Sequence, residues 1–204
     1  MKTQIVQIMD CAEVLPGFST QGALRDEPSG THQVVMGKHL TQGEPYIYKE
    51  EDRLRIVPDR DVSKYVLEPG DILYMSRGIT TYPVLIETVP EPTAAPSTFF
   101  ILKPRPNVVP AYLVWCLEQP LTESYLAGLR TGAGTPTIPR KGFMEITIPL
   151  ADIAAQHRIA DLWHLQKREF QLRRQLLEES TRFHRLAGQS IFNELININE
   201  KEKK

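Results

Sequence analysis

The sequence predicts an α+β protein: an irregular, β-rich domain over residues 1–150, one long coiled-coil helix over 151–199 and a charged tail at 200–204. Three observations carry that prediction. Up to about Pro149, proline and glycine punctuate the chain every few residues and leave only short apolar stretches between them. Beyond Pro149 there is no proline and a single glycine, Gly188, among Leu, Gln, Glu, Arg and Ala, all but the glycine strong helix formers. Within that second region Leu162, Leu165, Glu169, Leu172, Leu176, Glu179, Phe183 and Leu186 recur at alternating steps of three and four, an a/d register in which most positions are apolar.

In the first region the candidate strands are residues 4–8, 32–36, 72–75, 84–88, 98–102 and 145–148, most of them rich in β-branched or aromatic residues. The third is the best framed. Glu68-Pro69-Gly70-Asp71 reads as a tight turn, Ile72-Leu73-Tyr74-Met75 as a short strand buried on both faces, and Ser76-Arg77-Gly78 as the start of a loop projecting from it. One clear helix interrupts the strands. In VVPAYLVWCLEQP, Pro110 stands where a missing N–H is harmless, and Leu113, Leu117 and Leu121 follow at helical spacing. The next stretch, LTESYLAGLRTG, predicts a second short helix closed by Gly132 in a left-handed cap.

The C-terminal region reads as one long helix, or as two in tandem with a joint at Gly188. A straight helix of roughly 45 residues is about 68 Å long, more than the preceding domain can cover. Leu162, Leu165, Leu172, Leu176, Phe183 and Leu186 are therefore candidates for an interface with another chain or a second copy of this one. A second partial stripe, Ile159, Trp163, Phe170 and Leu177, implies that more than one face is buried. The alternative is a local hairpin folded back at Gly188, and the Lys-rich end reads most simply as a solvated tail.

With 204 residues and 41% apolar content, the chain is long enough for a real core. Its 24 basic and 25 acidic residues give a formal charge of −1, so binding to nucleic acid or to an anionic membrane must come from a local patch. Cys11 and Cys116 stand far apart without CxxC or a nearby histidine pair, which indicates neither a disulfide framework nor a zinc site. Cys116, inside AYLVWCLEQ, reads as a small core residue. The opening MKTQIVQIMDCAEV carries Asp10 and Glu13 where a signal sequence stays hydrophobic, and no segment reaches the length of a membrane span. The expectation is a cytoplasmic protein.

Two loops carry binding chemistry. Ser76 to Tyr82 offers Arg77, the hydroxyls of Thr80 and Thr81, and an aromatic ring, a set able to contact phosphates, base edges or a carbohydrate, or simply to form a surface ion pair. Arg130 to Gly142 exposes backbone N–H groups at its glycines, adds Thr135 and Thr137, and is flanked by Arg130, Arg140 and Lys141. It lacks the GxxxxGK[ST] spacing of a phosphate-binding P-loop, and its plain alternative is a flexible connection. Catalytic chemistry is poorly represented. Ser76 lacks a GxSxG elbow, the five histidines are scattered, and Glu50-Glu51-Asp52 and Asp59-Arg60-Asp61 read as solvated charge. No AdoMet- or nucleotide-binding glycine signature is present.

Three blocks stand in fixed order: PGDILYMSRG, PAYLVWCLEQP and TGAGTPTIPRKGFMEITIPLADIAAQHRIADLW. Together they resemble the specificity (S) subunit of type I restriction-modification systems, in particular one target recognition domain followed by its spacer helix. The last block is the most specific: a strand ending in Ile-Pro-Leu, a short gap, then Ala-Ala-Gln-His-Arg-Ile-Ala leading a long helix. The region from GFSTQGAL to GKHLTQGEPYIY fits more loosely.

The resemblance implies a non-catalytic adaptor that reads duplex DNA and docks methyltransferase (M) subunits, and in some assemblies a restriction (R) subunit. Methyl transfer would belong to the AdoMet-binding partner, with no cofactor in this chain. Family members usually carry two recognition domains and two long helices, whereas this sequence has one of each. Two copies pairing their helices antiparallel would bury the stripe and read an interrupted palindrome. On this reading Arg77, Thr80 and Thr81 approach DNA from one loop, and Arg130, Thr135, Thr137, Arg140 and Lys141 from another. Lys49, Arg53 and Arg55 form a third candidate set. Two competing readings are a coiled-coil adaptor that pairs with a full-length specificity subunit or another partner without touching DNA, and a small nuclease using the acidic clusters.

Overall fold

The computed structural model describes residues 3–19, 22–132 and 134–201. Along the chain lie β1 (Thr3–Gln7), α1 (Ile8–Cys11), β2 (Ala12–Pro16), β3 (His32–Val34), β4 (Tyr46–Ile47), β5 (Arg55–Ile56), β6 (Ile72–Met75), β7 (Pro83–Thr88) and β8 (Thr93–Ala94). There follow β9 (Phe99–Pro104), α2 (Pro110–Leu117), α3 (Pro120–Gly128), α4 (Arg140–Met144), β10 (Thr147–Ala151) and α5 (Ile153–Lys201). The chain divides into two compact units, Met1–His164 and Leu165–Lys204.

The first unit is built on a five-stranded sheet in the order β2-β9-β6-β7-β4, antiparallel except at the β4–β7 pair. Because side chains alternate across a strand, β6 divides its run between two cores. Ile72 and Tyr74 join the cluster under α2, and Leu73 joins the cluster on the opposite face. That is the burial on both faces that the unbroken apolar run predicts. The preceding turn takes its predicted form, with Gly70 at φ +97° and the Asp71 N–H donating to the Glu68 carbonyl at 3.0 Å. Asp71 is buried there. Its Oδ2 accepts from Glu68 N at 2.9 Å and from Lys103 Nζ at 2.9 Å. Burial pushes the Asp71 carboxyl up from its ordinary pKa, and the Lys103 ammonium works against that shift.

A second sheet, β5-β3-β8, encloses a smaller cluster of Phe18, Val34, Leu54, Ile56, Val62 and Ala94. A two-stranded ladder pairs β1 with β10 antiparallel, from Thr3 opposite Ala151 to Gln7 opposite Thr147. Helices α2, α3 and α4 complete the largest cluster, where the Phe143 ring lies 4.7 Å from Tyr74 and 5.2 Å from Phe100. Cys116 is a buried core residue, as its apolar surroundings predict, and Cys11 is buried in the same cluster.

The start of α5 is built into this unit. Asp152 Oδ1 accepts from the Ala155 N–H at 2.9 Å, satisfying a donor that the first helical turn leaves open. Gln156 is fully buried and spans three segments: its Oε1 accepts from Val109 N at 2.9 Å, and its Nε2 donates to Asn107 O at 3.1 Å and Ala151 O at 2.9 Å. Ala155 and Ala160 keep the helix close to the core, and Trp163, 2% exposed, donates its indole N–H to Glu118 Oε2 at 2.8 Å.

Several local expectations are corrected. The first strand ends at Gln7 because Ile8 opens the single turn of α1, where the Gln7 N–H donates to Asp10 Oδ2 at 3.1 Å. Leu121 belongs to α3, since Pro120 cannot continue α2 and starts the next helix instead. Gly132 does adopt a positive φ of +99°, but α3 has already ended at Gly128, and Gly132 serves a turn further on. Residues 140–144, expected as loop, form α4, which delays the last strand to Thr147. Strands β2, β4, β5 and β8 have no counterpart among the strands expected from sequence, three of them being only two residues long.

The second unit is helical from its first residue to Lys201, and α5 passes Gly188 without a break, which removes the hairpin alternative. Its surface carries i,i+4 ion pairs, Arg173–Glu169 at 2.6 Å and Arg174–Glu178 at 3.6 Å. Residues 202–204 of the expected tail lie outside the described residues. No helix among the described residues is long and apolar enough to cross a membrane.

Candidate nucleic-acid interface

The two loops that the sequence singled out form a single structure. Arg77 and Thr137 make an antiparallel bridge, in which Gly78 N donates to Pro136 O at 2.9 Å and Ile138 N donates to Ser76 O at 2.9 Å. Thr137 is also paired with Thr131 by two reciprocal backbone bonds of 2.9 Å. Gly132 turns the chain between them, and Gly78, at φ +114°, turns it just after Arg77. The base is fixed from beneath: Ser76 is buried with its N and Oγ both donating to Thr98 O, at 3.0 and 3.1 Å, and Ile138 is buried in the main core.

On this base the side chains divide into those facing solvent and those turned inward. Arg77, Thr80 and Thr135 are exposed, and Thr137 is half-buried with its Oγ1 donating to Thr135 O at 3.3 Å. Arg130 is turned inward. Its Nη1 donates to Ile79 O at 3.0 Å and its Nη2 to Thr81 Oγ1 at 2.7 Å, so one guanidinium from the end of α3 clamps the loop after β6. Beside it lies a cleft of about 430 Å³ lined by Gln42, Tyr74, Thr80, Thr81, Ser124 and Arg130 among others. Burial pushes the Tyr74 phenol up from its ordinary pKa, with the Thr81 hydroxyl and the Arg130 charge opposing.

The remaining basic candidates are more dispersed. Arg140 donates from Nη1 to the Val14 carbonyl of β2 at 2.9 Å, while Lys141 reaches Glu145 at 3.9 Å one turn along α4. Lys49, Arg53 and Arg55 lie by the smaller sheet. Lys49 pairs with Glu51 at 3.7 Å and Arg53 with Asp26 at 3.3 Å. Arg55 donates from Nε to Gly30 O at 2.8 Å and from Nη2 to Thr31 O at 3.2 Å, so it braces the 25–31 loop. The acidic clusters are engaged locally as well: Tyr48 Oη donates to Glu50 at 3.3 Å, and Asp61 Oδ1 accepts from Ser63 N at 2.8 Å.

Sequence reasoning passed over Ile79, which is 85% exposed at the tip of the clamped loop. Its signal was visible: an aliphatic residue between Gly78 and Thr80, in a segment otherwise polar.

On α5 the stripe residues Leu162, Leu165, Leu172, Leu176, Phe183 and Leu186 are all exposed. The second stripe divides. Trp163 is buried in the first unit and Ile159 packs against the same core, while Phe170 and Leu177 are exposed.

No family model matches the sequence, and no curated protein matches it by sequence. Solved structures match by fold. The chain is similar to a chain from a structural study of the complex assembly and conformational transition of the type I R-M system, with a TM-score of 0.64 at 18% identity over 90% of this chain and 43% of that one. It is similar to the HsdS subunit of Thermoanaerobacter tengcongensis, with a TM-score of 0.56 at 17% identity over 83% of this chain and 39% of that one. A third likeness is to the type I restriction-modification S subunit of M. genitalium, with a TM-score of 0.53 at 14% identity over 79% of this chain and 38% of that one. The chain thus spans about two fifths of the length of each. The likeness is one of architecture: over that share, this chain has the fold of a type I restriction-modification specificity subunit.

Proposed function

We propose that the chain is a non-catalytic DNA-sequence specificity module of a type I restriction-modification complex. The observation that carries this reading is the pair of loops zipped together at Arg77 and Thr137, which holds Arg77, Thr80 and Thr135 outward on a rigid base within that fold. Duplex recognition needs cations and hydroxyls for phosphates together with side chains aimed at base edges, and it gains from their being preorganised. Arg140 and Lys141 on α4 follow the second loop in sequence, and Lys49, Arg53 and Arg55 are a separate candidate set.

Two copies pair their α5 helices antiparallel, and the exposed stripe from Leu162 to Leu186 supports this. A two-fold dimer presents two recognition units to DNA and reads an interrupted palindrome. Methyltransferase subunits dock on the dimer, bind AdoMet and carry out methyl transfer, and a restriction subunit joins in complexes that cleave. The formal charge of −1 fits a division of labour in which these partners supply part of the phosphate contact.

Duplex binding measured across a salt series, together with footprinting in the presence of the methyltransferase partner, tests the reading. A DNA-reading module loses affinity steeply, with a log–log slope of about −0.9 per phosphate neutralised, and protects one sequence. Binding without sequence preference, or none at all beside intact helix pairing, assigns the chain to the adaptor reading instead.

A further inference from the structure

Among the exposed large apolar side chains of the first unit, Ile79 stands apart in exposure and in setting. It is 85% exposed, more than Leu121 or Tyr125 on α3. It is also held on both sides. The carbonyl of Ile79 accepts from Arg130 Nη1 at 3.0 Å, the Oγ1 of Thr81 two residues on accepts from Arg130 Nη2 at 2.7 Å, and Gly78 N is tied to Pro136 O at 2.9 Å. An aliphatic side chain on a loose loop can turn back against the protein, but the backbone here is fixed at Gly78 N and Ile79 O, and the Thr81 hydroxyl adds a third tie. Arg77 and Thr80, both exposed, stand on either side of it in sequence.

That combination has a specific chemical match. In the major groove the only apolar feature on a base edge is the C5-methyl of thymine, and it is read by small apolar contacts. A cation and a hydroxyl beside the apolar tip supply donors for phosphate or base acceptors at the same position. We propose that Ile79 is a specificity-determining residue that packs on a thymine methyl in the DNA site, and that Arg130 is a positioning residue which holds the Ile79 loop instead of contacting DNA. This rests on the DNA-reading function proposed above and names the residue that selects one of its bases.

The test begins with the full chain and its methyltransferase partner, used to select a binding site from a random duplex pool. Each thymine of that site is then replaced by uracil, which removes only the methyl group. Wild-type protein loses about fourfold in affinity at one thymine per half-site, the contribution of one buried methyl. Ile79→Ala binds thymine and uracil equally at that position and keeps its preference elsewhere. Arg130→Met also loses the thymine–uracil difference, yet keeps the wild-type salt slope because no phosphate contact has gone.

A selected site without thymine, no loss at any uracil, or a loss that survives in Ile79→Ala overturns the assignment of Ile79 while leaving sequence-specific binding intact. A salt slope shallower by about one phosphate in Arg130→Met overturns the positioning role. If no sequence is selected at all, the DNA-reading function and this inference fall together.

Discussion

Replacing Leu172 and Leu176 by Asp should convert a dimer into monomers, and the size of the effect can be worked from exposure. Leu172 is 47% and Leu176 72% exposed on the isolated chain. Burying a whole leucine side chain is worth about 2 kcal/mol, so pairing that covers the exposed parts yields about 2.4 kcal/mol per protomer. A two-fold interface counts this twice, giving about 5 kcal/mol, and desolvating the new carboxylates adds to the loss. At about 1.4 kcal/mol per decade, Kd rises by between about 10³ and 10⁴. Sedimentation equilibrium from nanomolar to 100 micromolar protein reads the change directly. Because both leucines are exposed and belong to the second unit, thermal unfolding of the first unit should stay as it was. A dimer of unchanged Kd in the double variant refutes the helix-pairing argument.

The core and the loops give four more expected outcomes. Arg77→Ala should weaken DNA binding without changing stability, whereas Arg140→Ala should also destabilise the fold by about 1 kcal/mol, because Nη1 bonds the Val14 carbonyl; urea titrations beside DNA-binding isotherms separate the two. Gln156→Ala leaves Val109 N and two carbonyls without their buried partner and should lower unfolding stability by about 3 kcal/mol, read as a shift in the urea midpoint. Burial pushes the Cys11 thiol up to about 11 and that of Cys116 up to about 12, from an ordinary value of 9.0. The folded state therefore holds these protons longer than the unfolded chain. Their contribution is complete below pH 9.0 and is lost as pH rises through about 11 and about 12, so unfolding free energy should fall above pH 9.0 and less steeply in Cys11→Ala/Cys116→Ala. In the native protein neither thiol should react with Ellman's reagent at pH 8.

Much of this architecture was legible where one residue type has a single physical use. Pro69 and Gly70 announced the turn into β6, and the unbroken apolar run announced burial on two faces, because alternation is lost when both sides of a strand are covered. The long proline-free stretch announced α5, and Pro110 its own helix start. What escaped depends on partners distant in sequence. Two-residue strands such as β4 and β8 exist only because β7 and β3 lie beside them, and no local pattern marks them. The site followed the same division. Arg77, Thr80, Arg130 and Thr137 were found as chemistry on two loops, but not the bridge joining the loops nor the inward turn of Arg130, since both are set by contacts about fifty to sixty residues apart. Gln156 lay in a quoted motif without a role because its partners, Asn107 and Val109, belong to the loop before α2.

The proposed function stands most directly on the DNA sequence that the protein selects. Duplexes carrying a randomised region, bound by the full chain with its methyltransferase partner and sequenced after successive rounds, reveal that sequence whatever it is. The expected result is two copies of one half-site in inverted orientation, separated by an unread spacer of fixed length. Enrichment of no sequence, or of a single half-site with no inverted partner, would contradict it.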